Sequence, residues 1–369
     1  MTKSKNGKID QILLFIVFAL LVFGLVMIAS AGVAYSKTRF DSSYFFFKKQ
    51  LLGVGIGLVA LYFFQKINYN LWKKFSMIFF VGSIICLLLV FIDGMGSKIY
   101  GASRWLNLGP VSFQPSEMLK LSLIIYLAAW LEGRGEKTRD FFEGFIPFVS
   151  IIAIIGFLLM KQPDMGTLGI LVLVAISIFF VAGSKINHIF LMLAGGGLTF
   201  LFLILTSPYR LQRLMVFRNS EESLQGAGYH INQALIAIGT GGFFGLGLGH
   251  SLQKFNYLPE PVGDSIFAII AEELGFIGAG VLITLFLIFA FRGYKIAKNA
   301  PDIFAKLLAV GIVSWIVFQA AINIAAISGI VPLTGVPLPF ISYGGTSIVF
   351  VLSGVGILLN ISRYSNSNN

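Results

Sequence analysis

The chain has 369 residues, of which 57% are hydrophobic and only 12% charged, and it carries a formal net charge of +11. That much apolar surface cannot be wrapped around one water-soluble core, so the soluble classes are excluded and lipid is the solvent. The positive charge does not indicate nucleic acid, because Lys and Arg flank apolar runs in short groups, as membrane topology and anionic headgroups require.

Lys3, Lys5 and Lys8 precede an apolar run from Ile12 to about Ala31. Ala29-Ser30-Ala31 imitates a signal-peptidase site. The run is longer than the ~7–15 residues of a signal-peptide core and more runs follow, so it predicts an uncleaved first helix. Further spans are predicted near 50–65, 75–92, 116–131, 145–160, 166–183, 187–206, 266–291, 306–327 and 344–361, each long enough for ~30 Å of hydrocarbon. The expected fold is an all-α polytopic integral membrane protein of about ten transmembrane helices, a single membrane domain over 1–369. A long extracytoplasmic loop, 207–265, joins helices 7 and 8. The even count places the N-terminus (1–11) and the tail (362–369) on one side. Connections bearing Lys66, Lys73 and Lys74, then Arg134, Lys137 and Arg139, then Lys185, then Arg292, Lys295 and Lys298 share that side. The positive-inside rule makes it cytoplasmic. The one cysteine, Cys86, lies in an apolar run, can form no intramolecular disulfide and reads as a small packing residue.

Three outward-facing stretches interrupt the apolar pattern. In the first, Arg104-Trp105 suits an interfacial anchor or an anion contact, and Pro115-Ser116-Glu117 reads as a helix start. Glu117 and Lys120 stand at i, i+3 on one helical face, as an ion pair at the boundary or as part of a functional cavity. The second is the long loop, with Arg210, Arg213, Arg218, Glu221 and Glu222, and then a glycine-rich run from Gly239 to Gly249 leading through Lys254 and Glu260 to Asp264. Its glycines match no dinucleotide fingerprint, so backbone lining a cavity is the better reading. His230 and His250 read as polar loop contacts. The third stretch, Gly329 to Ser347, has Pro332, Pro337 and Pro339, several glycines and no charge. That composition predicts broken backbone packed in protein at membrane depth, with Ser342 and Tyr343 available to a headgroup.

Three signatures resemble the SEDS family (shape, elongation, division and sporulation), which includes the FtsW and RodA proteins. They are Gln114-Pro115-Ser116-Glu117 with Lys120, Leu258-Pro259-Glu260 with Asp264 and Glu272-Glu273-Leu274-Gly275, and Pro337-Leu338-Pro339-Phe340-Ile341-Ser342-Tyr343-Gly344-Gly345. Ser251-Leu252-Gln253-Lys254 and Thr334-Gly335-Val336-Pro337 are closer to the division branch than to the elongation branch. The resemblance implies a peptidoglycan glycosyltransferase that polymerises lipid II into a growing glycan strand outside the cytoplasmic membrane. It also implies a class B penicillin-binding protein as partner, alongside other division or elongation membrane proteins. The essential carboxylate would be Asp264. Where the family commonly has His-Thr-Asp-Phe, this chain has Val262-Gly263-Asp264-Ser265, so only the aspartate is carried over.

The residues suit that chemistry. Attack by a sugar hydroxyl on an anomeric carbon with loss of a lipid diphosphate needs one general base and positive charge for the leaving group. It does not need the paired carboxylates of a glycosidase. Asp264 supplies the base, with helix capping as its competing role. Arg104, Lys120, Arg210, Arg213 and Lys254 are the candidate cations, Lys120 and Arg104 first, with Glu117, Glu260, Ser342 and Tyr343 as further substrate contacts. No stretch has metal-ligand spacing, so no cofactor is expected, although a divalent cation, Mg or Mn, on the diphosphate suits the chemistry. A lipid II transporter or flippase is the alternative, since broken helices and intramembrane charges serve transport too. A non-catalytic division scaffold is a weaker third reading.

Overall fold

The apolar runs fold as helices because lipid leaves no other partner for the backbone of a spanning segment. The computed structural model describes residues 7–92, 94–99, 102–108, 111–206, 211 and 226–365. Helices α1 (Gln11–Phe40), α2 (Phe45–Lys66) and α3 (Tyr69–Leu89) lead to a small sheet, β1 (Gly96–Ile99), β2 (Ala102–Leu108) and β3 (Val111–Phe113). Then follow α4 (Pro115–Arg134), α5 (Ile146–Lys161), α6 (Met165–Val181), α7 (Ile186–Leu205), α8 (Ala227–Gly241), α9 (Ile266–Lys298), α10 (Ile303–Ile327) and α11 (Gly345–Ser362).

Each of the ten predicted spans coincides with a helix. Eight are long and apolar enough to cross a membrane, and α6 is a shorter apolar helix. The remaining one, α4, carries Glu117, Lys120 and Glu132 within its length, so apolarity alone does not single it out. A further helix among the described residues, α8, lies inside the 207–265 loop and buries Ile231, Ala234 and Ala237. The sheet is the other addition to the all-α expectation. It is antiparallel in the order β1-β2-β3, with Ser97 opposite Trp105 and Leu106 opposite Phe113. It is tied to α11 by Thr346 Oγ1 donating to Ser112 O at 3.1 Å and by the Phe113–Phe350 ring contact.

Helix starts follow side-chain chemistry. Asp10, Asp164 and Asp302 cap α1, α6 and α10 by accepting from Leu13, Thr167 and Ala305 N–H, and Pro115 opens α4. Asp140 caps the turn ahead of α5, and the N–H groups of Glu143 and Phe142, with Lys185 nearby, hold its carboxyl below the ordinary aspartate range. α10 and α11 form the buried centre of the bundle, whereas α7 is almost entirely outward-facing. α2 lies close along α11 because Gly53 and Gly57 leave room for Gly345, Ile348 and Leu352.

Candidate active site

The glycine-rich run from Gly239 to Gly249 is explained by a break in α9. Gly275 has φ 67, a left-handed value, and interrupts the helix, freeing carbonyls before it and N–H groups after it. The loop takes up both: Leu246 N–H donates to Glu272 O at 2.9 Å and Gly247 N–H to Glu273 O at 3.0 Å. In return Phe276 N–H donates to Gly242 O at 2.9 Å and Ile277 N–H to Phe243 O at 3.3 Å. A Cβ on Gly275 would stand 2.3 Å from Gly245 N, so the clasp needs a residue without a side chain there.

Glu272 and Glu273 turn inward from the same break and anchor the returning chain. Glu272 accepts from Leu252 N–H at 2.9 Å, from Gln253 N–H at 3.4 Å and from the Ser251 hydroxyl. Glu273, fully buried, pairs with Lys254 at 2.8 Å, and Ser30 Oγ on α1 lies 2.7 Å from both its oxygens. Lys254 Nζ also donates to Gly249 O at 2.6 Å and reaches Ser30 Oγ at 3.3 Å. Its three N–H groups thus have three protein acceptors within reach.

Beyond this anchor the chain turns to Asp264, half-buried just ahead of α9. The third predicted stretch folds around it as irregular backbone. Asn323 on α10 donates from Nδ2 to Asp264 O at 2.8 Å and to Val336 O at 2.7 Å. Ser342 Oγ donates to Gly263 O and accepts from Leu338 N–H, both at 2.7 Å, and Tyr343 N–H donates to Val262 O at 2.8 Å. Gly335, at φ 69, passes the carboxylate so closely that a Cβ on it would lie 3.8 Å from Asp264 Oδ2. Ser342 therefore fastens the backbone under Asp264. The Tyr343 ring packs edge-on against Phe46.

Lys120 belongs to the same neighbourhood. It is 1% exposed, pairs with Glu117 at 2.8 Å and donates to Gln319 Oε1 at 2.8 Å, and the Trp315 ring centre is 5.2 Å away. Gln319 also accepts from Trp315 Nε1 and passes its own amide to Pro337 O at 2.9 Å. Gln319 and Asn323 stand at i, i+4 on α10 and so share a face. Through these two amides Lys120 and Asp264 hold adjacent links of one backbone segment, Val336-Pro337. Ser116 Oγ, Glu117 Oε2, Asn323 Oδ1 and Thr334 Oγ1 are all buried with no hydrogen-bond partner among the described residues. Buried polar atoms are ordinarily satisfied, so these four have hydrogen-bonding capacity open to water or a polar ligand.

Arg104 donates to the backbone carbonyls of Gln162 at 3.1 Å and of Pro163, at the turn between α5 and α6. That turn adjoins the site, since a Cβ on Gly166 would meet Val336 and Thr334. Glu260 accepts from Tyr35 hydroxyl at 2.9 Å on the other side of the Asp264 turn. His230 Nε2 lies 2.5 Å from Ser265 Oγ and His250 Nδ1 3.1 Å from Leu248 O, both local polar contacts. Arg210 and Arg213 lie outside the described residues. Among the described residues no three His, Cys, Asp or Glu side chains come together as a metal cluster. Trp315, Gln319 and Asn323 are not singled out by the sequence, and Thr334 only as part of a branch signature; the signal for Gln319 and Asn323 is an amide pair, four apart, inside an otherwise apolar span.

A family model described as "Cell cycle protein" and labelled FTSW_RODA_SPOVE matches residues 11–367. The chain is 43% identical over 366 residues to Stage V sporulation protein E of Bacillus subtilis (strain 168), covering 99% of this chain and 100% of that protein. It is 40% identical over 357 residues to "Probable peptidoglycan glycosyltransferase FtsW" of Geobacter sp. (strain M18), covering 96% of each. Among solved structures it is similar to the rod shape determining protein RodA of Thermus thermophilus, with TM-score 0.71, 25% identity and 98% of each chain covered. It is also similar to a chain from a study of structural coordination of polymerization and crosslinking by a peptidoglycan synthase complex, with TM-score 0.81, 25% identity, and 98% of this chain and 99% of that chain covered.

Proposed function

The chain belongs to the FtsW, RodA and SpoVE family of multi-pass membrane proteins, and on that premise we propose that it is a peptidoglycan glycosyltransferase that polymerises lipid II at the outer face of the cytoplasmic membrane, in the division or sporulation branch. The observation that carries this reading is the set of unpartnered buried polar atoms on Ser116, Glu117, Asn323 and Thr334 beside Asp264 and Lys120. A structural ion pair alone would leave no such capacity.

In the reaction, the 4-hydroxyl of one sugar attacks the anomeric carbon of another. The O4–C1 bond forms, the bond from C1 to the diphosphate oxygen breaks, and its electron pair leaves with undecaprenyl diphosphate. The hydroxyl proton passes to the Asp264 carboxylate, a role worth typically ~10²–10⁴-fold in rate. Lys120, with one N–H beyond its two protein acceptors, faces the developing negative charge, and Arg104 at the rim has guanidinium donors beyond those on Gln162 and Pro163. A divalent ion entering with the diphosphate would need only one or two protein carboxylates, and Asp264 is suited to provide one. Gly335, Asn323 and Ser342 keep the Asp264 turn fixed. Lys and Arg at the opposite helix ends orient the termini to the cytoplasm. The transpeptidase partner is a class B penicillin-binding protein; similarity to a chain from a complex that coordinates polymerization and crosslinking supports a crosslinking partner.

The test uses purified protein with and without its transpeptidase partner and lipid II as substrate. Asp264→Asn is expected to abolish strand synthesis while lipid II binding persists within a few-fold. Strand synthesis at the parental rate would overturn the base assignment. A parent that moves lipid II between leaflets yet makes no strands would establish the transporter reading instead, which the break at Gly275 also suits.

A further inference from the structure

The turn that carries Asp264 has a second face. On it, Tyr35 and Arg39 from the outer end of α1, Tyr229 from α8, and Asn256, Tyr257 and Glu260 from the loop line a recess of about 370 Å³. This size falls in the ~300–1,000 Å³ range of small-ligand sites. Three tyrosine rings converge here, each an apolar face with a polar tip. Tyr35 is held by Glu260 at 2.9 Å and carries the Arg39 guanidinium over its ring at 4.3 Å. Tyr257 is 57% exposed, and the Asn256 amide beside it is also exposed.

Glu260, at φ 47, sits in the left-handed region that a glutamate avoids, a strain that recurs at ligand sites, and Asn256, at φ 67, takes the same conformation as asparagine readily does. Among the described lining residues one arginine and one glutamate cancel, so the recess is not built for a diphosphate. Aromatic faces with amide, guanidinium and carboxylate partners suit an uncharged, hydroxyl-rich ring carrying amide groups. The recess is also coupled to the reacting turn: Gly263 N–H donates to Glu260 O at 2.9 Å, Ser265 Oγ donates to Pro259 O at 2.8 Å, and His230 on α8 contacts Ser265.

We propose that this recess is a saccharide subsite that holds the glycan strand beyond the reacting sugar, keeping the polymer on the enzyme between additions. The inference rests on the polymerase reading above and adds to it where the strand lies. Asp264 acts on the sugar at one face of the turn, and the tyrosines retain the strand at the other.

The experiment compares parent, Tyr257→Ala, Tyr257→Phe and Tyr229→Ala in the full-length protein with its transpeptidase partner. Two quantities are read: the length distribution of strands made from lipid II, and the affinity for lipid-free peptidoglycan oligosaccharides. Tyr257→Ala is expected to shorten strands several-fold and to weaken oligosaccharide binding about tenfold, with the rate of the first bond unchanged. Tyr257→Phe, which keeps the ring, should retain most of both, and Tyr229→Ala should follow Tyr257→Ala. Unchanged strand lengths and unchanged oligosaccharide affinity would overturn the proposal. So would a loss confined to stimulation by the partner, which would make the recess a protein contact. If the parent makes no strands at all, the polymerase reading fails, while oligosaccharide binding still reports on the recess by itself.

Discussion

Two buried lysine–glutamate pairs stand among the described residues, and they differ in what their atoms have left to do. Lys254 and Glu273 are closed on themselves: the ammonium has Glu273, Gly249 O and Ser30, and Glu273 has Lys254 and Ser30. Lys120 and Glu117 are similarly dry, but the ammonium has only two protein acceptors and Glu117 Oε2 has no partner among the described residues. The first pair staples α1, the glycine loop and α9 together. The second, at the start of α4, keeps polar atoms that the described residues leave unsatisfied. Burial and pairing are common to both; what distinguishes them is unused hydrogen-bonding capacity at the second.

The largest effect that sharpens this contrast is expected from Lys120→Met. It removes the cation proposed to face the leaving group and strands a buried carboxylate, so activity should fall by roughly 10²–10³-fold. Stability should fall by about 3–5 kcal/mol, and thermal unfolding with initial rates of strand synthesis reads both. Lys254→Met should cost a similar ~3–5 kcal/mol by orphaning Glu273, yet the surviving folded molecules should polymerise at near the parental rate. A selective loss of turnover there would break the distinction. Gly275→Ala comes next, because it forces a side chain into a left-handed position against Gly245 N; a stability loss of ~1–3 kcal/mol is expected, with faster amide exchange in residues 242–247. Ser342→Ala is the smallest, at about 1 kcal/mol for a backbone fastening, and a much greater loss of turnover than of stability would move Ser342 into contact with substrate.

Much of this architecture is legible in the sequence because lipid imposes a simple rule on spans. All ten predicted helices are present, including α4, which Pro115 announces despite its charges. Asp264, Glu117 and Lys120 stand out in the sequence as ionisable groups where hydrocarbon would not tolerate them, and the structure brings them to one backbone segment, Val336-Pro337. What was not legible depends on tertiary pairing. The β1-β2-β3 sheet is too short for a strand pattern to stand out. Gln319 and Asn323 look like minor polar breaks in α10 until Lys120, Pro337 and Asp264 are set beside them. Lys254 reads as a candidate phosphate contact because composition cannot reveal that Glu273, nineteen residues later, returns across the break at Gly275 to claim it.

Charge-neutral double replacements separate the two pairs most directly, since removing both partners of a buried ion pair is often close to neutral for stability. The deciding measurement is the initial rate of glycan-strand synthesis from lipid II, per folded molecule, for Glu117→Gln with Lys120→Met and for Lys254→Met with Glu273→Gln. The account predicts a loss of ~10²-fold or more for the first and a rate within about threefold of the parent for the second. The reverse order, or equal losses in both, would contradict it.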